Sequence, residues 1–113
     1  MDRTFLLVGA LAGFIGVAFG AFAAHALRSR LSPDMLAVFE TGVRYQMYHA
    51  FAVLIAALAA THFDGWTARA AGWAFTAGIV LFSGSLYALA LTGMSALGAI
   101  TPLGGSAFLA GWG

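Results

Sequence analysis

The chain has 113 residues, of which 62% are apolar and 8% charged, with a net charge of +1. That balance excludes an ordinary soluble domain, which carries about 25% charged residues and at this size leaves much of its surface exposed. The lack of cysteine excludes disulfides, thiolate metal sites and Cys nucleophiles, and there is no basic patch for nucleic acid.

The nine charged side chains are Asp2, Arg3, Arg28, Arg30, Asp34, Glu40, Arg44, Asp64 and Arg69. The stretches between them have membrane dimensions. There are 24 uncharged residues from Thr4 to Leu27, 19 from Tyr45 to Phe63 and 44 from Ala70 to Gly113. A bilayer core of about 30 Å takes roughly 20 apolar residues as a helix. The expected fold is therefore an all-α integral membrane protein of four transmembrane helices in an antiparallel bundle. The spans fall over about 4–27, 45–62, 68–92 and 97–113 in a single membrane domain, with an interfacial amphipathic helix over about 33–45.

The first span is too long for a signal-peptide h-region and is expected to be retained. Gly9, Gly13, Gly16, Gly20 and Ala24 recur at steps of three and four along it, a stripe that lets another helix backbone approach closely in lipid. The stripe leaves open whether that helix belongs to this chain or to another subunit. After Arg28-Ser29-Arg30, Ser32-Pro33-Asp34 has the makings of a helix start: a capping hydroxyl, a proline at the first helical position and an acid at the positive end of the dipole. Leu36, Phe39, Val43 and Met47 then form an apolar stripe with Glu40 and Arg44 outside it. This amphipathic stretch is expected to lead into the second span, with or without a break. His62-Phe63-Asp64-Gly65-Trp66 is a short interfacial turn. The third span has its polar part at Leu81-Phe82-Ser83-Gly84-Ser85-Leu86-Tyr87.

In the fourth span Thr101-Pro102 predicts a kink or a late helix start. From Leu97 this span has 17 residues, about 25 Å as a helix. Either it is short and tilted or the sequence stops before its natural end. Arg3 and Arg69 fall on one side of the membrane and Arg28 and Arg30 on the other, so the positive-inside count is close to a tie.

Polar side chains at membrane depth are costly and mark either function or helix register. The candidate cluster is His25, Glu40, Arg44, Gln46, His49, Ser83, Tyr87 and Thr101, with Tyr45 and Ser85 nearby. Glu40 and Arg44 are a favourable i,i+4 pair. His49 is expected to hydrogen-bond a neighbour, either Tyr87 or a backbone carbonyl. Three readings stand. The cluster is a register-fixing network, or a proton or solute path, or His25 and His49 hold a haem iron or pigment. No catalytic constellation is present, since Ser83-Gly84-Ser85 is not a nucleophile elbow. No metal-ligand spacing is recognisable. The expected protein is no enzyme and carries no cofactor. Its partners are the lipid bilayer and other membrane subunits or itself, met through the glycine faces. The leading role is a structural, accessory or assembly subunit of a larger membrane complex, respiratory or photosynthetic complexes being plausible hosts. The alternatives are a small oligomeric transporter-like protein or a haem or pigment binder.

Four segments together resemble a known family. They are Gly20-Ala21-Phe22-Ala23-Ala24-His25-Ala26-Leu27, Thr41-Gly42-Val43-Arg44-Tyr45-Gln46-Met47-Tyr48-His49-Ala50, Leu81-Phe82-Ser83-Gly84-Ser85-Leu86-Tyr87 and Ile100-Thr101-Pro102-Leu103-Gly104-Gly105. The family is domain of unknown function 423, the YgdD-like small inner-membrane proteins. The resemblance covers essentially the whole chain. It implies a multi-helix protein of the bacterial inner membrane with no established activity, and it makes none of the polar residues catalytic. It also implies a continuation past Gly111-Trp112, often with a basic tail.

Overall fold

A computed structural model describes residues 3–63 and 65–113, so Asp2 and Asp64 lie outside the described residues. The elements are α1 (Arg3–His25), a 3-10 turn (Leu27–Ser29), α2 (Pro33–His62), α3 (Thr67–Gly78), a π turn (Ile79–Ser83), α4 (Gly84–Thr92), a second 3-10 turn (Ser95–Ala99) and α5 (Thr101–Trp112). Among the described residues there is no strand. Among the described residues three helical stretches are long and apolar enough to cross a membrane: Arg3–His25, Pro33–His62 and Thr67–Thr92.

Local chemistry sets the boundaries. The Ser32 hydroxyl accepts from the Met35 amide at 3.2 Å and Pro33 takes the first turn, so α2 begins there. The helix then runs unbroken for 30 residues. The expected interfacial helix and second span are thus one rod, about 45 Å long at 1.5 Å per residue, which matches the 48 Å long axis of the molecule. No glycine in a left-handed conformation or proline falls near residue 45 to interrupt it. Gly93 does terminate α4, in the left-handed region at φ 73° with its amide bonded to the Leu89 carbonyl.

The last stretch differs from a uniform helix over 97–113. Pro102 sits in the first turn of α5, where its missing N–H costs nothing. The residues before it form the 3-10 turn, and α5 itself has 12 residues, about 18 Å. Of the two outcomes expected at Thr101-Pro102, the late start is the one adopted.

The packing is antiparallel between neighbours. A Cβ placed on Gly9, Gly16 or Gly20 of α1 would meet Leu54, Met47 or Val43 of α2 in turn. Along α5, Gly104 faces the Phe82 backbone, Phe108 covers Gly78, and Gly111 faces Phe75. Two apolar clusters result. Phe5, Val53, Ala57, Phe75 and Phe108 form one. Ala23, Leu27, Phe39 and Ala90, with Phe19 and Tyr87 against them, form the other. Outside these, Leu7, Phe14, Val17, Phe51, Ile55 and Leu58 are exposed. A soluble monomer rarely shows so continuous an apolar exterior, whereas lipid contact requires one.

The glycine stripe of α1 is split by this arrangement. Gly9 and Gly16 are buried against α2, Gly20 touches it, Gly13 meets nothing within 4 Å, and Ala24 is exposed. The close approach of α5 to the π turn is tighter still, because the atoms opposite Gly104 are backbone and have nowhere to go. Gly104→Ala is expected to destabilise the fold by about 1–3 kcal/mol through overpacking. Gly13→Ala is expected to leave it unchanged or raise it by up to about 1 kcal/mol through helix propensity. Thermal unfolding in detergent ranks the two variants against the parent chain.

Candidate functional site

Between the two apolar clusters lies a layer of buried polar side chains: Gln46, His49, Ser83 and Ser85. On α2 the spacing Gly42, Gln46, His49, Val53 keeps one face, and that face points inward. Gln46 is the hub. Its amide Nε2 donates to the Ala12 carbonyl of α1 at 2.7 Å, and its Oε1 accepts from the Tyr87 hydroxyl of α4 at 2.5 Å. One side chain therefore ties three helices. At Gly16, one helical turn beyond Ala12, Met47 of α2 packs directly against the α1 backbone.

The remaining bonds extend the layer. Ser83, fully buried at the end of the π turn, donates to the Gly42 carbonyl at 2.7 Å. The Tyr87 ring lies over Gly42, where a Cβ would stand 2.8 Å from Cε1. Ser85 and Thr101 share a 2.6 Å hydroxyl–hydroxyl bond that pins the start of α5 to α4. The other end of α5 is pinned through His49. The imidazole Nδ1 lies 2.7 Å from the Tyr45 carbonyl, which only accepts, so Nδ1 carries the proton. Nε2 then accepts from the Trp112 indole Nε1 at 3.1 Å. Phe108 stacks on the imidazole with centroids 3.5 Å apart and planes 8° from parallel, and Phe75 stands at 5.7 Å.

Of the eight candidate residues, five form this layer: Gln46, His49, Ser83, Tyr87 and Thr101. They are not a single chain of bonds. Gln46 with Tyr87, Ser83 with Gly42, Ser85 with Thr101, and His49 with Trp112 are separate ties. His25, Glu40 and Arg44 are exposed and stand apart from it. An i,i+4 ion pair at such a surface contributes little. His25 ends α1 while His49 is enclosed by Phe75, Phe108 and Trp112, so the two imidazoles do not meet. With Nε2 accepting from Trp112 and Nδ1 protonated, His49 has no free nitrogen to offer an iron in this arrangement. Among the described residues no group of three or more His, Cys, Asp or Glu is placed to hold a metal.

Trp112, Phe108 and Phe75 belong to the site and were not among the sequence candidates. A signal existed for the first two. Thr101, Gly104, Phe108 and Trp112 recur at steps of three and four, which puts them on one helix face with Thr101 already a candidate. The π turn that aims Ser83 at α2 has no comparable local signature.

Fold and layer together define a helical membrane protein, with three membrane-length stretches joined by hydrogen bonds inside their own bundle. A family model described as "Protein of unknown function (DUF423)" matches residues 19–105. The chain belongs to this family. It is 47% identical over 111 residues to the UPF0382 membrane protein YwdK of Bacillus subtilis, covering 97% of this chain and 90% of that protein. A UPF0382 membrane protein of Haemophilus influenzae is 47% identical over 112 residues, covering 99% and 90%. One from Staphylococcus haemolyticus is 45% identical over 113 residues, covering 97% and 89%. No solved structure matches.

The Gln46–Tyr87 bond gives a direct test of the layer. Tyr87→Phe leaves the Gln46 oxygen without its donor, and Gln46→Leu leaves the Tyr87 hydroxyl without its acceptor. Each change is expected to destabilise, with the double change costing less than the sum. The expected coupling is about 0.5–2 kcal/mol, the range for side-chain hydrogen bonds between membrane helices. A double-mutant cycle on reversible unfolding in detergent micelles measures it.

Proposed function

We propose that the protein is a structural or accessory subunit of the bacterial inner membrane, whose outer surface packs against another membrane protein. The supporting observation is how the polar groups are used. Gln46, Ser83, Ser85, Thr101, Tyr87 and His49 each make a hydrogen bond that holds one helical segment to another. Side chains that work on a passing solute keep donors or acceptors turned toward its path. In this bundle they are turned toward neighbouring helices, the arrangement of a scaffold.

The second support is the shape of the outer face. α1 and α2 leave between them an open apolar groove of about 560 Å3, lined by Gly9, Gly13, Phe14, Met47, Ala50 and Phe51 among others. Small residues at its floor suit a helix backbone. In this reading α5, with its 3-10 lead-in, is a fourth membrane element braced against the other three. It adds rigidity on the face away from the groove.

Gly13 separates the fold from the partnership, since it lines the groove and a Cβ there meets nothing. Gly13→Leu is expected to preserve expression and thermal stability while removing the subunits that co-purify from native membranes. Gly16→Leu, which collides with Met47, is expected to lower stability as well. Mass spectrometry of material eluted in mild detergent reads the first effect. Unaltered co-purifying subunits in a folded Gly13→Leu chain would count against the proposal, as would their absence from the parent chain.

A further inference from the structure

The tie between α5 and α2 has a property that the other ties lack: an added proton breaks it. Tyr45 O accepts, so His49 Nδ1 must donate; Trp112 Nε1 donates, so His49 Nε2 must accept. The bond therefore needs a neutral imidazole. A proton added to Nε2 would place an N–H against the indole N–H, 3.1 Å away, with no acceptor between them. The Nδ1 bond to Tyr45 is unaffected by that proton, because Nδ1 donates in both states.

We infer that His49 and Trp112 form a proton-sensitive latch, in which proton uptake at His49 Nε2 releases the last turn of α5 from α2. The geometry decides which partner moves. The imidazole is 7% exposed, held by Tyr45 on its own helix and stacked on Phe108. Trp112 is 61% exposed, so the indole is the partner with room to move. The groups facing the imidazole from α3 and α5 are Phe75, Phe108 and Trp112. None of them titrates near neutrality. On α2 itself the neighbouring titratable group is Tyr45, whose ring centroid is 6.4 Å away, and Arg44 is exposed. Among the described residues no carboxylate is bonded to the ring to hold it protonated and so keep the latch open.

Release has a structural consequence. Trp112 forms one wall of a groove of about 190 Å3 between α2 and α3, lined also by Ala52, Ala56, Ala59, Ala71 and Phe75. Swinging the indole away opens this groove. The start of α5 stays anchored, since the Ser85–Thr101 bond and the Gly104 contact involve no titratable group. The motion is thus confined to the Trp112 side of α5 rather than a departure of the whole helix.

The test uses the full chain in lipid nanodiscs. Trp66→Phe and Trp73→Phe leave Trp112 as the single indole, and His25→Gln and His62→Gln leave His49 as the single imidazole. Nitrogen-15 spectra of both rings, with hydrogen exchange of the α5 amides, are followed from about pH 8 to about pH 5, the range in which histidine changes charge. The expected result is that the Trp112 indole resonance shifts together with the His49 imidazole. Opening of the last turn of α5, read as exchange divided by the intrinsic amide rate at each pH, should rise by up to about tenfold per pH unit as pH falls through the transition, as linkage of one proton requires. His49→Gln keeps a donor for Tyr45 and an acceptor for Trp112 but no titration, so it should stay latched and show no pH response. Trp112→Phe should show rapid exchange at every pH. The inference is overturned by a stationary Trp112 resonance while His49 titrates. It is equally overturned by a His49 that stays neutral throughout the range, or by an undiminished pH response in His49→Gln. The co-titration of the two rings stands as a test even if a variant fails to fold.

Discussion

Inside lipid a helix has no water to satisfy a polar side chain and little hydrophobic drive to hold it against a neighbour. Two of the ties that meet these conditions share a pattern: a side chain on one helix bonds to a backbone carbonyl on the next, beside a glycine that packs closely against another helix. Gln46 reaches the Ala12 carbonyl beside Gly16. Ser83 reaches the carbonyl of Gly42 itself. A helical carbonyl already accepts one amide bond and has a second lone pair to offer. Close packing at the neighbouring glycine brings the helices near enough for that lone pair to be used.

Glycine also serves aromatic packing. Phe5 lies over Gly72, Phe108 over Gly78, Phe75 over Gly111 and Tyr87 over Gly42. Each ring fills the space that a side chain would occupy, and each belongs to a different helix from its glycine. The rings then contact one another, as Phe19, Phe39 and Tyr87 do within one cluster and Phe82 with Phe108 near the other. Bulk and absence of bulk are thus matched across helices, which gives van der Waals packing a definite register. The polar ties lie between the two aromatic regions, where packing on both sides shields them.

What was legible in the sequence follows the range of the interactions. The charge-free stretches place the long helices because bilayer thickness acts on each segment separately. Ser32-Pro33-Asp34 marks the start of α2 because a cap needs only its own turn. Five of the polar candidates were findable since any polar group at that depth requires a partner. The identity of each partner was not, because it depends on which helices meet. His49 illustrates the difference. A backbone carbonyl was among its expected partners and is used, on its own helix, whereas Tyr87 bonds Gln46 and the second partner of His49 is Trp112, 63 positions away. Gly13 looks identical to Gly9 and Gly16 in the pattern of α1, yet it opens onto the groove beside α2 and a Cβ there would meet nothing. A stripe of small residues wide enough to wrap part of a helix does not say which edge is covered.

The π turn from Ile79 to Ser83 adds one residue to what would otherwise be a regular repeat between α3 and α4. In an α-helix one residue corresponds to a rotation of about 100°. The turn therefore acts as a phase shifter. It allows α3 to present Gly72, Phe75 and Gly78 to α1, α2 and α5 while α4 presents Ser85 and Tyr87 to α5 and α2. A regular helix through the same residues would set the two halves of this span out of phase by roughly a quarter turn, so one helix could satisfy the apolar cluster or the polar layer but not both. The extra residue makes a single transmembrane rod behave as two differently keyed surfaces, and the length of this span is coupled to its rotational setting as well as to bilayer thickness.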